Sequence, residues 1–200
     1  NQIDRVVLGG SNARIGIVTT GKSYLDVRRA LLELGVDETR ARQLGLRVYK
    51  VGMPWPLEPR GVLEFSVELE LLIVVEEKRG LIEDQLKSIL YGRSRAPKII
   101  GKMDENEDVL FDPSGRLEAS QIALEIGRRL ITIGDAVLQE RMSRIEGFLS
   151  RDNESLPAMI RTAYFCAGCP HNTSTAVPEG SRALAGIGCH FMSQWMDRST

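Results

Sequence analysis

Histidine and cysteine are scarce in this chain of 200 residues, with two of one and three of the other, and none precedes Cys166. An imidazole- or thiolate-ligated metal therefore has no ligands in the first four-fifths of the sequence. No Gly-x-Gly-x-x-Gly and no Walker A pattern occurs, so a nucleotide site there has no sequence support. No apolar run approaches the roughly 18 residues of a membrane helix. Excess charge is absent too: a formal net charge of -1 argues against a nucleic-acid binder working through general electrostatics. There is no initiator Met and no signal-peptide pattern in Asn1-Gln-Ile-Asp-Arg5. Three cysteines, an odd count, fit poorly with a disulfide framework. Reduced thiols and a cytoplasmic setting are expected. Asn172-Thr-Ser174 matches the glycosylation pattern and, without a secretion signal, reads as a chance tripeptide. A start without Met and an end close to a motif predict a fragment of something larger.

What is present has the balance of a globular protein: 42% hydrophobic and 26% charged residues, enough for one sizeable domain, or one domain and a piece of another. Ile15-Gly-Ile-Val-Thr-Thr20 is a β-rich run. Ser23 is placed to cap a helix over Tyr24–Leu34, with Leu25, Ala30, Leu31 and Leu34 at helical spacing and Gly35 as its stop. Asp37 caps a short helix through Leu44. Strands follow at Arg47–Met53, Leu71–Val75 and Pro97–Gly101, alternating with helices from Pro59 to about Leu69 and from Leu81 to Tyr91. Leu71-Leu-Ile-Val-Val75 is continuously apolar, as in a strand buried on both faces. This alternation predicts an α/β fold, a mostly parallel sheet with helices on both faces. Residues 104–116 read as a loop. Helices are predicted over Ser120–Leu130 and Ile133–Leu149, and a boundary near 150–158.

All the cysteine and histidine falls in Tyr164-Phe-Cys-Ala-Gly-Cys-Pro-His-Asn-Thr-Ser-Thr175 and Gly186-Ile-Gly-Cys-His190. Cysteines two residues apart can both reach one metal or cluster, and Ala167 and Gly168 between them let backbone N–H groups approach the sulfurs. Four readings are open. Cys166, Cys169, Cys189 and one of His171 or His190 could bind zinc. The pair could be a thioredoxin-like redox motif, although no βαβ unit surrounds it. The cysteines could be buried small hydrophobes, or they could hold a cluster.

These segments, with Val177-Pro-Glu-Gly-Ser-Arg-Ala-Leu184, resemble the large fused form of indolepyruvate ferredoxin oxidoreductase. So do Gly16-Ile-Val-Thr-Thr-Gly-Lys-Ser-Tyr-Leu-Asp26, Val51-Gly-Met-Pro-Trp-Pro-Leu57 and Val74-Val-Glu-Glu-Lys78. The resemblance spans nearly the whole chain and is most specific in the cysteine block. It implies a thiamine diphosphate- and Mg²⁺-dependent enzyme that decarboxylates aryl 2-oxo acids such as indolepyruvate. Electrons would pass through a 4Fe–4S cluster to ferredoxin, giving an aryl-acetyl-CoA. It implies a transketolase C-terminal-like α/β domain over 1–135, a helical linker over 136–157 and the start of the cofactor domain over 158–200. Cys166, Cys169 and Cys189 match cluster ligands of that family. His171, Gly188 and His190 match positions near the cofactor. The family's Gly-Asp-Gly motif for Mg²⁺ and diphosphate is missing: Gly134-Asp135-Ala136 departs from it and falls in a predicted helix. The remaining domains of a parent chain and a homo-oligomeric assembly are implied as partners, and the 200 residues alone are expected to be inactive.

Lesser candidates lie in the first domain. Thr19-Thr-Gly-Lys-Ser23 forms a strand-to-helix turn that could hold an anion, and also reads as simple capping. Glu76 and Glu77 could do acid–base work, or be a solvated strand end or a domain contact. Trp55, between Pro54 and Pro56, is expected to anchor a core or interface, and Arg93-Ser-Arg95 to be a solvated loop.

Overall fold

Hydrogen bonding between five strands organises most of the chain. The computed structural model describes residues 3–131, 135–154, 162–184, 186–196 and 198, and the chain divides into two units, Asn1–Asn153 and Glu154–Thr200. The first unit runs β1 (Arg5–Gly9), β2 (Ile15–Thr20), α1 (Gly21–Glu33), α2 (Glu38–Leu44), β3 (Leu46–Val51), α3 (Pro59–Ser66), β4 (Leu71–Val75), α4 (Leu81–Leu90), β5 (Lys98–Ile100), α5 (Ala119–Leu130) and α6 (Ala136–Glu154). The sheet order is β1-β3-β2-β4-β5. β2 pairs in parallel with β3 and β4, and β4 with β5.

The mostly parallel sheet is the one the alternation predicts, with one addition. β1 lies antiparallel on β3, with an irregularity between Val6 and Leu8. It is an edge strand with no fully buried residue, so it lacks the apolar run that announces a central strand.

Alternate residues of each strand feed two cores. Ile17 of β2, Val48 of β3 and Ile73 and Val75 of β4 join Val27, Ala30 and Leu31 of α1 and the inner faces of α5 and α6. On the other face Val18, Tyr49, Leu72 and Val74 meet Val62 and Phe65 of α3 and Ile82 and Leu86 of α4. Gly16 is needed on that second face. A Cβ there would sit 2.5 Å from Leu69 Cδ1 and 2.9 Å from Phe65 Cε1.

Helix ends follow local chemistry with two departures. Asp37 Oδ1 accepts from the Arg40 N–H at 2.7 Å, and Gly45 ends α2 in the left-handed region. Ser23, expected as the cap of α1, is instead buried inside its first turn. β2 runs directly into α1, so Thr20 takes the N-cap position, and its hydroxyl donates to Val51 O at 2.9 Å. α3 ends at Ser66 rather than near Leu69. Arg47, 8% exposed on β3, donates through Nη2 to the carbonyls of Phe65 and Val67, occupying acceptors at the end of the helix. Burial lowers the Arg47 pKa from its ordinary value.

A helical linker is expected over 136–157. The observed helix, α6, lends Leu138, Met142 and Ile145 to the first unit's core, and residues 155–157 lie outside the described residues. Asp135, expected within a helix, precedes α6. Its Oδ1 accepts from Leu138 N–H at 3.3 Å and its carboxylate pairs with Arg40. The predicted helix start at Ile133–Gly134 lies outside the described residues.

The second unit has a single turn of helix, α7 (His171–Ser174), and a 3-10 helix at Gly188–Trp195. Phe165, Thr175 and Ser193 are buried in it.

Ile17→Ala empties a site buried on a core face and is expected to lower unfolding stability by about 2–5 kcal/mol. Arg47→Met leaves two inward carbonyls without their donor, at about 1–3 kcal/mol. Urea unfolding with an unchanged slope checks both. An Arg47→Met variant as stable as the parent would overturn the role given to the guanidinium.

Candidate functional site

Cys166-Ala-Gly-Cys169 forms a tight turn. The Cys169 N–H donates to Cys166 O at 3.0 Å, and Gly168 supplies the positive φ, 77°, that a type II turn requires at its third position. Both thiols are free; Cys166 is exposed and Cys169 half-buried. The turn leads into α7, since Asn172 N–H donates to Cys169 O at 3.0 Å and Asn172 Nδ2 to Cys166 O at 3.3 Å. His171 Nδ1 lies 3.2 Å from Cys169 Sγ. Its ring is flanked by Phe165, centroids 5.5 Å apart, and meets His190 edge-on at 4.7 Å. Arg198 closes the arrangement. Its guanidinium lies over the Phe165 ring at 5.4 Å and donates to Asn172 O at 2.8 Å and Thr175 Oγ1 at 3.1 Å. Nothing in the sequence pattern pointed to Arg198, because its partners lie more than twenty residues upstream.

Cys189 is exposed on the 3-10 helix that Gly188 opens at φ 77°. The contact between His171 and His190 therefore ties the third cysteine's helix to the turn bearing the first two. Among the described residues, however, no three Cys, His, Asp or Glu side chains stand close enough to hold one ion. The four-ligand zinc set is not assembled. The donor type suits a thiophilic centre such as an iron–sulfur cluster, but the three thiols as placed do not close around one.

Two of the lesser candidates, the Thr19–Ser23 turn and the Glu76–Glu77 pair, meet at one place. The parallel strands stand in the order β3-β2-β4-β5, so connections leave β2 and β4 in opposite directions, and the carboxyl ends of these two strands form the switch point of the sheet. Lys22 bridges it, with Nζ 2.6 Å from Asp26 Oδ2 and 3.1 Å from Glu77 Oε1. Hydrogen bonding to Asp26 and Glu77 raises Lys22, and the same contact lowers Glu77. Glu76 behaves oppositely. At 5% exposure, its Oε2 accepts from Ile82 N–H at 2.9 Å and its Oε1 from Glu83 N–H at 3.0 Å. It thus caps α4, whose N-cap Gly80 has no side chain to offer. Burial pushes the Glu76 carboxyl up despite these donors and Lys102. Lys102 Nζ donates to Glu76 O at 2.5 Å and its N–H to Glu83 Oε2 at 2.8 Å. One carboxylate caps a helix and the other is ion-paired at the surface, so each has a structural partner.

Among the described residues, Thr19 Oγ1 is buried without a hydrogen-bond partner, and the first turn of α1 has no side-chain cap. Trp55 is 64% exposed and is not part of the core of this chain. Arg93 and Arg95 are exposed, as a solvated loop requires. No helix among the described residues is long and apolar enough to cross a membrane.

Comparison with known proteins adds a lineage. A family model for the indolepyruvate oxidoreductase domain matches residues 5–152. The chain is 30% identical over 190 residues to the indolepyruvate oxidoreductase subunit IorA of Pyrococcus abyssi and 28% identical over 190 residues to that of Thermococcus kodakarensis. Each alignment covers 92% of this chain and 26% of the relative. The chain thus spans about a quarter of the length of these curated relatives. A solved structure of the 2-oxoglutarate:ferredoxin oxidoreductase of Magnetococcus marinus overlaps 64% of this chain and 19% of its own, with 16% identity and a TM-score of 0.43.

The Glu76 carboxyl, raised above its ordinary 4.5 by burial, keeps in the folded chain a proton that the unfolded chain has already released. Stability therefore falls as pH rises from 4.5 through the raised value. Glu76→Gln preserves an oxygen for both N–H donors and has no proton to lose. Its stability relative to the parent is expected to improve steadily as pH rises through that window. Urea midpoints for both proteins across the acid-to-neutral range check this; a pH-independent difference would contradict it.

Proposed function

The chain belongs to the indolepyruvate oxidoreductase family, and on that premise we propose that it is one portion of a thiamine diphosphate-dependent oxidoreductase. The parent enzyme would oxidatively decarboxylate aryl 2-oxo acids, indolepyruvate among them, to aryl-acetyl-CoA, with electrons leaving through a 4Fe–4S cluster to ferredoxin. The observation that carries this reading is the family match over 5–152, continued by the likeness to the relatives over 92% of the chain.

In this reading residues 1–135 are a transketolase-like scaffold domain, and the segment from 158 opens the cofactor domain. Thiamine diphosphate supplies the carbanion-stabilising chemistry when bound. It and Mg²⁺ would be held by parts of the parent protein outside this chain, since Asp135 is taken up by the α6 cap and by Arg40. The chain's own contribution is sulfur. Cys166 and Cys169 are held on one turn by the 3.0 Å backbone bond, and Cys189 is linked to them through the His171–His190 contact. We assign these three thiols as cluster ligands. His171 orients Cys169, and Gly188 and His190 shape the cofactor side of the turn. The partners are ferredoxin, CoA, the remaining domains and further copies of the enzyme, in the cytoplasm.

The test uses the full-length enzyme purified without oxygen. Cys166→Ser, Cys169→Ser and Cys189→Ser are each expected to lose iron, sulfide and the brown visible absorbance. Each is also expected to lose indolepyruvate- and CoA-dependent ferredoxin reduction. Stoichiometric zinc without iron in the parent, or full turnover with all three cysteines replaced, would sink the assignment.

A further inference from the structure

We propose that Cys166 and Cys169 form a reversible dithiol–disulfide pair that closes against low-molecular-weight disulfides whenever their sulfurs are not bound to a metal centre. The inference stands on the turn and does not need the cluster reading.

Geometry favours this pair over the two others that three cysteines allow. The backbone bond from Cys169 to Cys166 at 3.0 Å marks a four-residue turn, whose end Cα atoms lie within about 7 Å. A disulfide needs about 4.4–6.8 Å, so the turn holds the two Cα atoms close to the separation a bridge requires. Gly168 holds that turn at φ 77°, and a Cβ there would meet nothing within 4 Å. Its requirement is thus one of backbone conformation, not of space. Cys189 sits on a different element, the Gly188–Trp195 helix.

Accessibility sets the order of events. Cys166 is exposed and Cys169 half-buried with His171 Nδ1 at 3.2 Å, so a small disulfide meets Cys166 first. In the first step the Cys166 sulfur bonds to one sulfur of the reagent, the reagent's S–S bond breaks, and one thiol leaves. In the second, the Cys169 sulfur attacks the Cys166 sulfur, forms the internal bond and expels the second thiol. Two protons pass to the departing thiols. The cysteines lose two electrons and the reagent gains them. A closed pair has no thiolate to offer a metal, so oxidation and metal loading exclude one another at this turn.

The experiment equilibrates metal-stripped protein with oxidised and reduced glutathione under argon. Acid quenching, alkylation and peptide mapping follow. The expected product is a Cys166–Cys169 disulfide that reopens with excess reduced glutathione, with the exposed Cys189 found as the thiol or as a glutathione adduct but never in a protein bridge. Cys189→Ser should titrate at the same glutathione ratio. Gly168→Val should move the midpoint about tenfold toward the open dithiol, since a left-handed β-branched residue strains the turn. Stable glutathione adducts on both cysteines, a bridge to Cys189, or an unchanged midpoint in Gly168→Val would each overturn the proposal. Iron analysis of the full-length enzyme separates the two ideas. A protein that binds no iron but closes this bridge keeps the inference and loses the cluster. One that binds iron but whose stripped thiols never pair does the reverse.

Discussion

Burial of β2 and β4 on both faces is the constraint from which the first unit follows. Ile17 and Val18 point to opposite cores and both are fully buried, as are Leu72 and Val75 of β4. A parallel pair whose two faces are apolar must be covered twice. The two cores meet that need with α1, α5 and α6 on one side and α3 and α4 on the other. β1 can then be added at the edge without disturbing either layer, because it contributes no fully buried residue.

That arrangement also explains where polar chemistry collects. The carboxyl ends of central strands cannot be fully covered, since the chain leaves them for helices on both sides. Lys22, Asp26 and Glu77 form an ion-paired patch there, while Glu76, Glu83 and Lys102 form an inner network that caps α4 and fastens the segment after β5. Glu76 and Glu77 are neighbours in sequence with opposite pKa displacements. One is pushed up by burial and the other held down by an exposed lysine.

The second unit works on a different scale. Few of its described side chains are buried, and hydrogen bonds carry its order: the Cys166–Cys169 turn, the Thr175 hydroxyl on His171 O at 2.6 Å, the Ser193 hydroxyl on His190 O at 2.6 Å, and Arg198 stitched across Phe165, Asn172 and Thr175. These contacts hold sulfur and imidazole near the surface, where a cofactor, a metal or a small oxidant can reach them. Exposed thiols of this kind are open to thiol exchange.

Most of the sheet was legible in the sequence because its signals are local. Runs such as Leu71–Val75 show their burial in their composition, Asp37 caps its own helix, and the spacing of Cys166 and Cys169 fixes that they share a turn. The family was legible as well, from short motifs. What could not be read rests on partners distant in the chain. β1 exists only as the mate of β3, Arg5 opposite Lys50. Ser23 lost its cap role because β2 ends against β3, where Thr20 bonds to Val51 O. α3 stops early because a guanidinium on β3 claims its last carbonyls. The sequence by itself determined the central strands and the helices that cover them, and which residue types could hold a metal. Tertiary structure alone decided which polar groups meet, because hydrogen bonds and ion pairs between distant segments form only after the apolar faces have been packed.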